Sequence, residues 1–264
     1  MRREKLKNMK EKNLCIIQAR KGSTRLPGKV LKRVKGLTLL EYEVRRVRRA
    51  KKIDKIVVAT TVNKADDEIE ILCGSMGVDC FRGSENDVLD RYYQCSLNYP
   101  EYESIIRITG DCPLIDPKII DQVVDFFEKN NFDYASNVDP ATFPDGLDVE
   151  VFKKSALGNA AQKAKLPSER EHVTQYIRKD PGNKKGNFLN EKDYSDFRFT
   201  VDDPEDFEVI EFIIINSKAD ADYSDYIALL NNNPAIRGKN KHINRNEGLE
   251  KSLKEDKILQ KYET

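Results

Sequence analysis

The sequence lacks tryptophan, has only two histidines among 264 residues and contains no long apolar run. No stretch approaches the roughly 18 apolar residues that cross a membrane as a helix, so we predict no membrane partner. The basic start of the chain is not followed by the apolar segment of a secretory signal, and export is not expected. Together these absences favour a cytoplasmic protein.

Cysteine is also scarce, and its pattern disfavours the usual cysteine-based sites. The five cysteines, an odd number, form no C-x-x-C pair. This pattern favours buried free thiols in a reducing compartment over a disulfide framework or a zinc site. With so few histidines, no Ser-His-Asp or Cys-His nucleophile can be argued from the spacing. The cysteines are Cys15, Cys73, Cys80, Cys95 and Cys112.

The chain carries almost no net charge, only +1, although 34% of its residues are charged. Such a balance of charges does not indicate nucleic acid as a partner. Positive charge is concentrated in residues 1–12, which we predict to be a flexible basic tail. The length permits one large domain with a substantial core.

Apolar runs alternate with amphipathic segments over the first half of the chain. Continuous runs rich in β-branched residues predict buried strands at 14–17, 56–61, 78–81 and 105–109. Apolar residues at helical spacing predict helices at about 37–47, 65–76, 87–97 and 115–129, the last with Asp116 at its N-cap. This alternation predicts an α/β fold with a mostly parallel central sheet flanked by helices.

The pattern changes after about residue 131. We predict two strands within 132–152 around a turn at 143–146, then a helical stretch interrupted near Pro167. A strand at 197–201 and a helix that starts at Asp203 and Pro204 follow. The polar residues 218–264 are predicted to form one helix near 227–231 and a loosely packed extension. The boundaries therefore fall at about residues 12 and 217, with an insertion at about 132–195.

The first motif is the loop after the first strand, QARKGSTRLPGK at residues 18–29. A strand that runs into a Gly- and Ser-rich loop with several positive charges is typical of phosphate sites in α/β proteins, because backbone N–H groups and cationic side chains neutralise the anion. Neither G-x-x-x-x-G-K-[ST] nor G-x-G-x-x-G is present. A basic surface loop is the alternative interpretation.

The second motif is RITGDCPL at residues 107–114, where a strand ends in Gly110 and Asp111. The carboxyl ends of parallel strands share one edge of the sheet, so Asp111, Thr60 and the basic loop are expected there. A carboxylate beside phosphates is a natural Mg²⁺ ligand. An ordinary turn is the alternative. The third motif is TVDDPEDF at 200–207, in which Asp203 is interpreted as a helix N-cap.

These motifs together resemble those of the cytidylyltransferases that make CMP-sialic acid and CMP-Kdo, especially the subgroup named after the spore coat polysaccharide biosynthesis protein SpsF. The similarity covers about residues 14–255. It implies a nucleotide-diphospho-sugar transferase fold (GT-A, Rossmann-like), with 13–217 as the nucleotidyltransferase domain and 132–195 facing the sugar. The implied reaction transfers CMP from CTP to a sugar or sugar acid with Mg²⁺ in surface polysaccharide biosynthesis, in a homodimer.

The resemblance also implies residue roles. Arg20, Lys29, Asp111 and Asp202 are the expected catalytic residues, and the two aspartates are expected to bind Mg²⁺. The nucleotide is expected to contact Ala19, Arg20, Gly22, Ser23, Arg25, Lys29, Thr60, Ser84, Arg91, Arg107, Thr109 and Gly110. The acceptor is expected to contact Asp148, Glu150, Glu169, Arg170 and His172. It further implies that residues 81–93 lie where related enzymes contact the base, and exposed helix positions are the alternative for Asp87, Asp90 and Arg91. A solvated helix start is the alternative for residues 169–171.

Three other functions stay open on the sequence alone. One is a nucleotidyltransferase that uses another nucleoside triphosphate and a sugar phosphate. The second is a GT-A glycosyltransferase, since this fold serves both chemistries. That function calls for a D-x-D motif, and Gly110-Asp111-Cys112 lacks the second aspartate. The third is a non-catalytic binding module, which would not need a pair of metal-binding carboxylates.

Overall fold

Nine strands form the framework of the computed structural model, which describes residues 12–262. Residues 1–11 of the predicted basic tail lie outside the described residues. In chain order the strands are β1 (Asn13–Gln18), β2 (Arg33–Val34), β3 (Leu37–Thr38), β4 (Lys55–Thr61), β5 (Asp79–Gly83), β6 (Ser104–Thr109), β7 (Tyr134–Ser136), β8 (Glu150–Lys153) and β9 (Lys185–Asn187).

Seven of these strands form one sheet in the order β5-β4-β1-β6-β8-β7-β9. Strand β1 pairs in parallel with both β4 and β6, and β5 extends the parallel set. Strand β8 runs antiparallel to its two neighbours, β6 and β7. The prediction of a mostly parallel central sheet is therefore confirmed. Strands β2 and β3 form a separate hairpin ahead of the first helix.

Eleven α-helices connect and cover the strands of residues 12–262, with short 3₁₀ turns at Lys29–Leu31 and Lys64–Asp66. None of these helices is long and apolar enough to cross a bilayer. They are α1 (Leu39–Val47), α2 (Asp67–Met76), α3 (Val88–Leu97), α4 (Pro117–Asn130), α5 (Lys154–Lys163), α6 (Pro167–Glu171), α7 (Gln175–Lys179), α8 (Pro204–Asn216), α9 (Tyr223–Asn231), α10 (Pro234–Arg237) and α11 (Glu247–Tyr262).

The central strand β1 is buried on both faces of the sheet, which explains its continuous apolar run. Its side chains alternate, so Cys15 and Ile17 join the core formed with α1, α4, α8 and α9. Leu14 and Ile16 point to the opposite face, where α3, α5 and α7 complete a second core. Two apolar layers therefore hold the carboxyl ends of β1 and β6 in place, and the loops that follow them start from a rigid edge.

Two predictions about the second half of the chain were wrong, and one strand was missed. Residues 197–201 are extended but form no strand, because they bond at separate points to the backbone of Asp145 and Asp111. Strand β9 was not predicted, because its sequence, Lys-Gly-Asn, has no apolar pattern. The C-terminal region holds three helices in place of one, and α11 packs against α6.

Gly146 ties the turn before β8 to the extended segment at 197–201. Its φ is +93°, and a Cβ there would lie 2.4 Å from the backbone nitrogen of Thr200. We expect Gly146→Ala to lower the free energy of unfolding by about 2–5 kcal/mol, from backbone strain and overpacking. Chemical denaturation measures the free energy of unfolding of the variant. Gly74→Ala is the control, because Gly74 in α2 has open space around it and alanine favours helix. Equal stability of the two variants would contradict the prediction.

Candidate active site

Two adjoining cavities open at the carboxyl edge of β1 and β6. The basic-loop cavity, about 680 Å³, lies between residues 18–30 and the first turns of α11. The β8 cavity, about 430 Å³, extends from the same centre towards β8 and α7. Both are within the size range of small-molecule sites. Their shared centre is lined by Gln18, Thr109, Asp111, His172 and Asp202.

The basic loop is closed on itself by backbone hydrogen bonds. The N–H of Gly28 donates to the carbonyl of Lys21 (3.0 Å), and Gly28 has the positive φ of +68° that this turn requires. The N–H of Lys21 donates to Asp66 (2.7 Å), which anchors the loop to the start of α2. The loop is therefore a braced structure whose inner side faces the cavity.

Asp111 and Asp202 converge although 91 residues separate them in the chain. Asp111 directly follows β6 and Gly110, whose N–H donates to the carbonyl of Gln18 at the end of β1 (2.7 Å). The N–H of Val201 donates to the carbonyl of Asp111 (2.9 Å). This bond lays the extended segment beside Asp111 and brings Asp202 to the same point. A Cβ on Gly110 would lie 2.7 Å from the Gln18 carbonyl, so this close approach requires glycine.

Lys29 bridges the two carboxylates. Its Nζ lies 2.8 Å from Asp111 Oδ2 and 2.8 Å from Asp202 Oδ1. Burial opposes ionisation of Asp111, but the Lys29 ammonium outweighs it and lowers the pKa of Asp111 to about 2. Burial alone would lower the pKa of Lys29, whereas Asp111 and Asp202 raise it above its ordinary value. Lys29 and Asp111 are therefore both charged at neutral pH.

Two arginines flank this triad. Arg25 contacts Asp202 (3.2 Å) from the solvent side, and Arg198 contacts its other carboxylate oxygen (2.8 Å) from the protein side. Arg198 also donates to Asp145 (2.5 Å) and to the fully buried Asp206 (2.9 Å), which fixes its position. Arg20 lines the basic-loop cavity and makes no hydrogen bond or ion pair among the described residues. It is a cation free to meet an anionic ligand.

The β8 cavity is lined by paired charges. Glu150 accepts from the hydroxyls of Tyr134 and Thr174 at 2.6 Å each and pairs with Arg107. Burial opposes its ionisation, but Arg107 outweighs it and lowers the pKa of Glu150. Glu150 is therefore a fixed anion that positions Arg107. Asp148, which also lines this cavity, pairs with Arg245 from the segment before α11.

His172 lies where the two cavities meet. Its Nε2 is 3.1 Å from the hydroxyl oxygen of Ser252 on α11. Burial lowers the pKa of His172 below its ordinary value, so the imidazole is neutral near pH 7. A neutral ring can donate and accept hydrogen bonds at the junction.

Comparisons with known proteins agree with this geometry. A family model described as cytidylyltransferase matches residues 14–247. The chain belongs to the cytidylyltransferase family.

Three relatives are similar to the chain over 62% or more of its length. The chain is 36% identical over 233 residues to the spore coat polysaccharide biosynthesis protein SpsF of Bacillus subtilis, covering 84% of this chain and 95% of that one. It is 41% identical to an uncharacterized protein of Methanocaldococcus jannaschii (88% and 96% covered) and 28% identical to a 3-deoxy-manno-octulosonate cytidylyltransferase of Chlamydia trachomatis (62% and 66%).

A solved cytidylyltransferase from Leptospira borgpetersenii superposes with a TM-score of 0.83 at 37% identity, covering 89% of this chain and 100% of that one. The predicted nucleotide-sugar transferase fold is thereby confirmed, and the chain is a nucleotidyltransferase.

Several residues expected at the cytidylyltransferase site lie elsewhere. Glu169 accepts the backbone N–H groups of Lys165 and Leu166, and so caps the short helix α6. Arg170 pairs with Asp87 and donates to a carbonyl of α5. Both side chains are used by the fold and line neither cavity, so the structure does not bring them to the place proposed for the acceptor.

The segment expected to contact the base also contains side chains that the fold uses. Asp87 caps α3, and Asp90 donates its N–H to that cap (2.9 Å). Ser84 lies outside both cavities and accepts from Asp87 N–H (3.1 Å), and Thr60 is fully buried away from them. The structure therefore does not bring these two residues to the cavities with the other predicted nucleotide contacts. Arg91, by contrast, lines a small cavity of about 130 Å³ next to Ala19 and Arg20.

The remaining predicted residues are brought together at the two cavities. The predicted residues that line the basic-loop cavity are Ala19, Arg20, Gly22, Ser23, Arg25, Lys29, Thr109, Gly110, Asp111 and Asp202. The β8 cavity takes Arg107, Asp148, Glu150 and His172.

Sequence reasoning missed the residues that reach the site from distant segments. Arg198 forms an ion pair with Asp202, Arg245 pairs with Asp148, and residues of α11 line the basic-loop cavity. The one local signal was the position of Arg198, four residues before Asp202 in the strand predicted to lead into the third motif.

Proposed function

We propose that the protein is a Mg²⁺-dependent enzyme that transfers CMP from CTP to a hydroxyl of a sugar or sugar acid and releases pyrophosphate. The observation that carries the proposal is the bridge that Lys29 makes between Asp111 and Asp202 beside a braced basic loop. Membership of the cytidylyltransferase family supports the cytidine base. The relative named for 3-deoxy-manno-octulosonate supports a sugar acid as acceptor.

The triphosphate is placed in the basic-loop cavity. Arg20 has no competing partner among residues 12–262, and Arg25 and Lys29 face the same space. Negative charge grows on the departing pyrophosphate as the bond to it breaks, and fixed cations stabilise that charge. The basic loop therefore contributes most to the transition state, and the backbone around Gly22 and Ser23 can approach the phosphates closely.

Asp111 and Asp202 fit a divalent cation. Lys29 shows that one cation can contact an oxygen of each carboxylate, and two carboxylates with phosphate oxygens are the donor set that Mg²⁺ prefers. When bound, Mg²⁺ would neutralise charge on the phosphates. Arg198 keeps the Asp202 carboxylate aimed at this point through its own bond to the buried Asp206.

The acceptor is placed in the β8 cavity, next to the same centre. Its hydroxyl oxygen forms a bond to the α-phosphorus, and the bond from that phosphorus to the oxygen of the leaving pyrophosphate breaks. As the new bond forms, the hydroxyl proton passes to water in the open cavity, and His172, neutral and at the junction, is suited to orient the hydroxyl by a hydrogen bond. Holding both reactants at one edge supplies the orientation that such a transfer needs.

We place this reaction in the cytoplasm, because all five cysteines are free and a reducing compartment keeps them so. We also propose a homodimer, which light scattering tests.

The test of the proposed function is pyrophosphate release. CTP, UTP, GTP and ATP are each mixed with Mg²⁺ and a panel of sugars, sugar acids and sugar phosphates, and phosphorus NMR identifies the product. We expect release only with CTP and a phosphodiester-linked CMP product. A diphosphate-linked product from a sugar phosphate would assign the chain to the alternative nucleotidyltransferase reaction.

A further inference from the structure

Helix α11 forms one wall of the basic-loop cavity and contributes charged side chains to it. The residues that line the cavity are Glu247, Gly248, Lys251, Ser252 and Glu255. Their spacing of about four residues puts them on one face of the helix. The family match ends at residue 247, where this helix begins. Helix α11 is thus an addition to the matched region that nonetheless reaches the nucleotide side of the site.

The middle of α11 is firmly anchored. Ser168 on α6 donates its N–H (3.0 Å) and its hydroxyl (2.5 Å) to the carboxylate of Asp256. Both residues are buried. One turn earlier, the hydroxyl of Ser252 donates to Glu171 (2.6 Å). Buried charge-assisted bonds of this kind are among the stronger ones in proteins. The helix therefore holds its inner face towards the basic loop.

The first turn of α11 makes a weaker contact. Glu247 lies 3.3 Å from Arg25, which also contacts Asp203 (2.5 Å) and Asp202 (3.2 Å). The Glu247 side chain is 43% exposed and makes the longest of these contacts. An exposed ion pair contributes little, and a triphosphate carries more charge than one carboxylate. A phosphate can therefore take the place of Glu247 on Arg25.

Lys251 stands one turn further along the same face. It makes no hydrogen bond or ion pair among the described residues, and its side chain lines the cavity opposite the basic loop. Within the described part of the chain Lys251 is thus an unpaired cation, in a position to meet a phosphate from the side that the loop leaves open.

We propose that α11 is a working part of the nucleotide site, in which Lys251 binds the phosphates and Glu247 occupies Arg25 until a triphosphate displaces it. This inference rests on the proposed function, because it assigns the ligand of the basic-loop cavity as a nucleoside triphosphate. It adds to that function a second phosphate-binding element outside the basic loop, and a contact that discriminates against weakly charged ligands.

The helix supplies its own matched controls. Lys254 and Glu250 lie on α11 but line neither cavity, whereas Glu255 lines the basic-loop cavity without touching Arg25. Calorimetric titration of the full chain with CTP and Mg²⁺ compares Lys251→Met with Lys254→Met. It also compares Glu247→Gln with Glu250→Gln and Glu255→Gln.

We expect Lys251→Met to weaken CTP binding about tenfold and Lys254→Met to leave it unchanged, since a charge-assisted phosphate contact is lost only in the first. Glu247→Gln is expected to tighten binding about two- to fivefold, more than either other glutamate variant. Equal affinities of the two lysine variants would overturn the role of Lys251. Equal tightening by Glu255→Gln would overturn displacement from Arg25. A wild-type chain that binds no nucleoside triphosphate would overturn the proposed function itself.

Discussion

Lys29→Ala is expected to lower the rate of CMP transfer by about 10²–10³-fold, the loss typical of removing one fixed positive group from a developing anion. The ammonium contacts Asp111 and Asp202, and Lys29 lines the cavity in which the phosphates are placed. The side chains of the two aspartates are 23% and 25% exposed, so water can solvate them when the lysine is gone. The fold is therefore expected to survive. The turnover number, measured by pyrophosphate release, should fall by this factor.

The matched control is Lys21→Ala. Lys21 belongs to the same loop, but its ammonium pairs with Glu68 (2.5 Å) and lines neither cavity. This variant should keep a rate close to that of the wild type. A Lys29→Ala enzyme that lost thermal stability but turned over normally would show that Lys29 is only a counter-ion of the two aspartates.

Asp111→Asn is expected to abolish most of the Mg²⁺-dependent activity. The amide keeps the size of the side chain but removes one of the two carboxylates placed around the metal. Losing partners of metal ligands already costs about 10–100-fold, so losing a ligand should cost at least 10²-fold. A titration of activity against Mg²⁺ measures this loss of rate, and excess Mg²⁺ should not restore the wild-type rate.

Asp203→Asn provides the comparison for this loss. Asp203 is the neighbour of Asp202 and stands at the N-cap of α8, where asparagine serves as well as aspartate. It lines neither cavity. We expect a modest effect, limited to the loss of its pair with Arg25. Normal Mg²⁺ dependence in Asp111→Asn would place the metal elsewhere.

The fold was predictable where local chemistry decides it. The apolar runs of β1, β4 and β6 needed burial on both faces, and Asp116 with Pro117 marked the start of α4. The failures have a common cause, which is that tertiary contacts replaced local preference. Residues 197–201 look like a strand but bond to single positions of two other segments. Helix α11 is polar and owes its place to a few buried contacts with α6.

The site residues were likewise predictable where a local motif places them, and not where packing does. Residues inside a motif, such as Lys29 and Asp111, could be located from the order of strands, because parallel strands end at one edge. Glu169 and Arg170 were also expected at the site from the resemblance, yet their side chains cap and brace helices. Arg245 left no local signal, since its partner Asp148 is 97 residues away. A motif therefore locates a segment, and only the packing shows which side chains face the cavity.

The most direct test of the account is the binding of CTP, UTP, GTP and ATP by calorimetry, each with and without Mg²⁺. The account predicts that CTP binds at least about tenfold more tightly than the other three, a difference of roughly 1.4 kcal/mol, and that Mg²⁺ strengthens this binding. Tighter binding of another triphosphate, or CTP affinity that Mg²⁺ leaves unchanged, would contradict the assignment of a Mg²⁺-dependent cytidylyl transfer to this site.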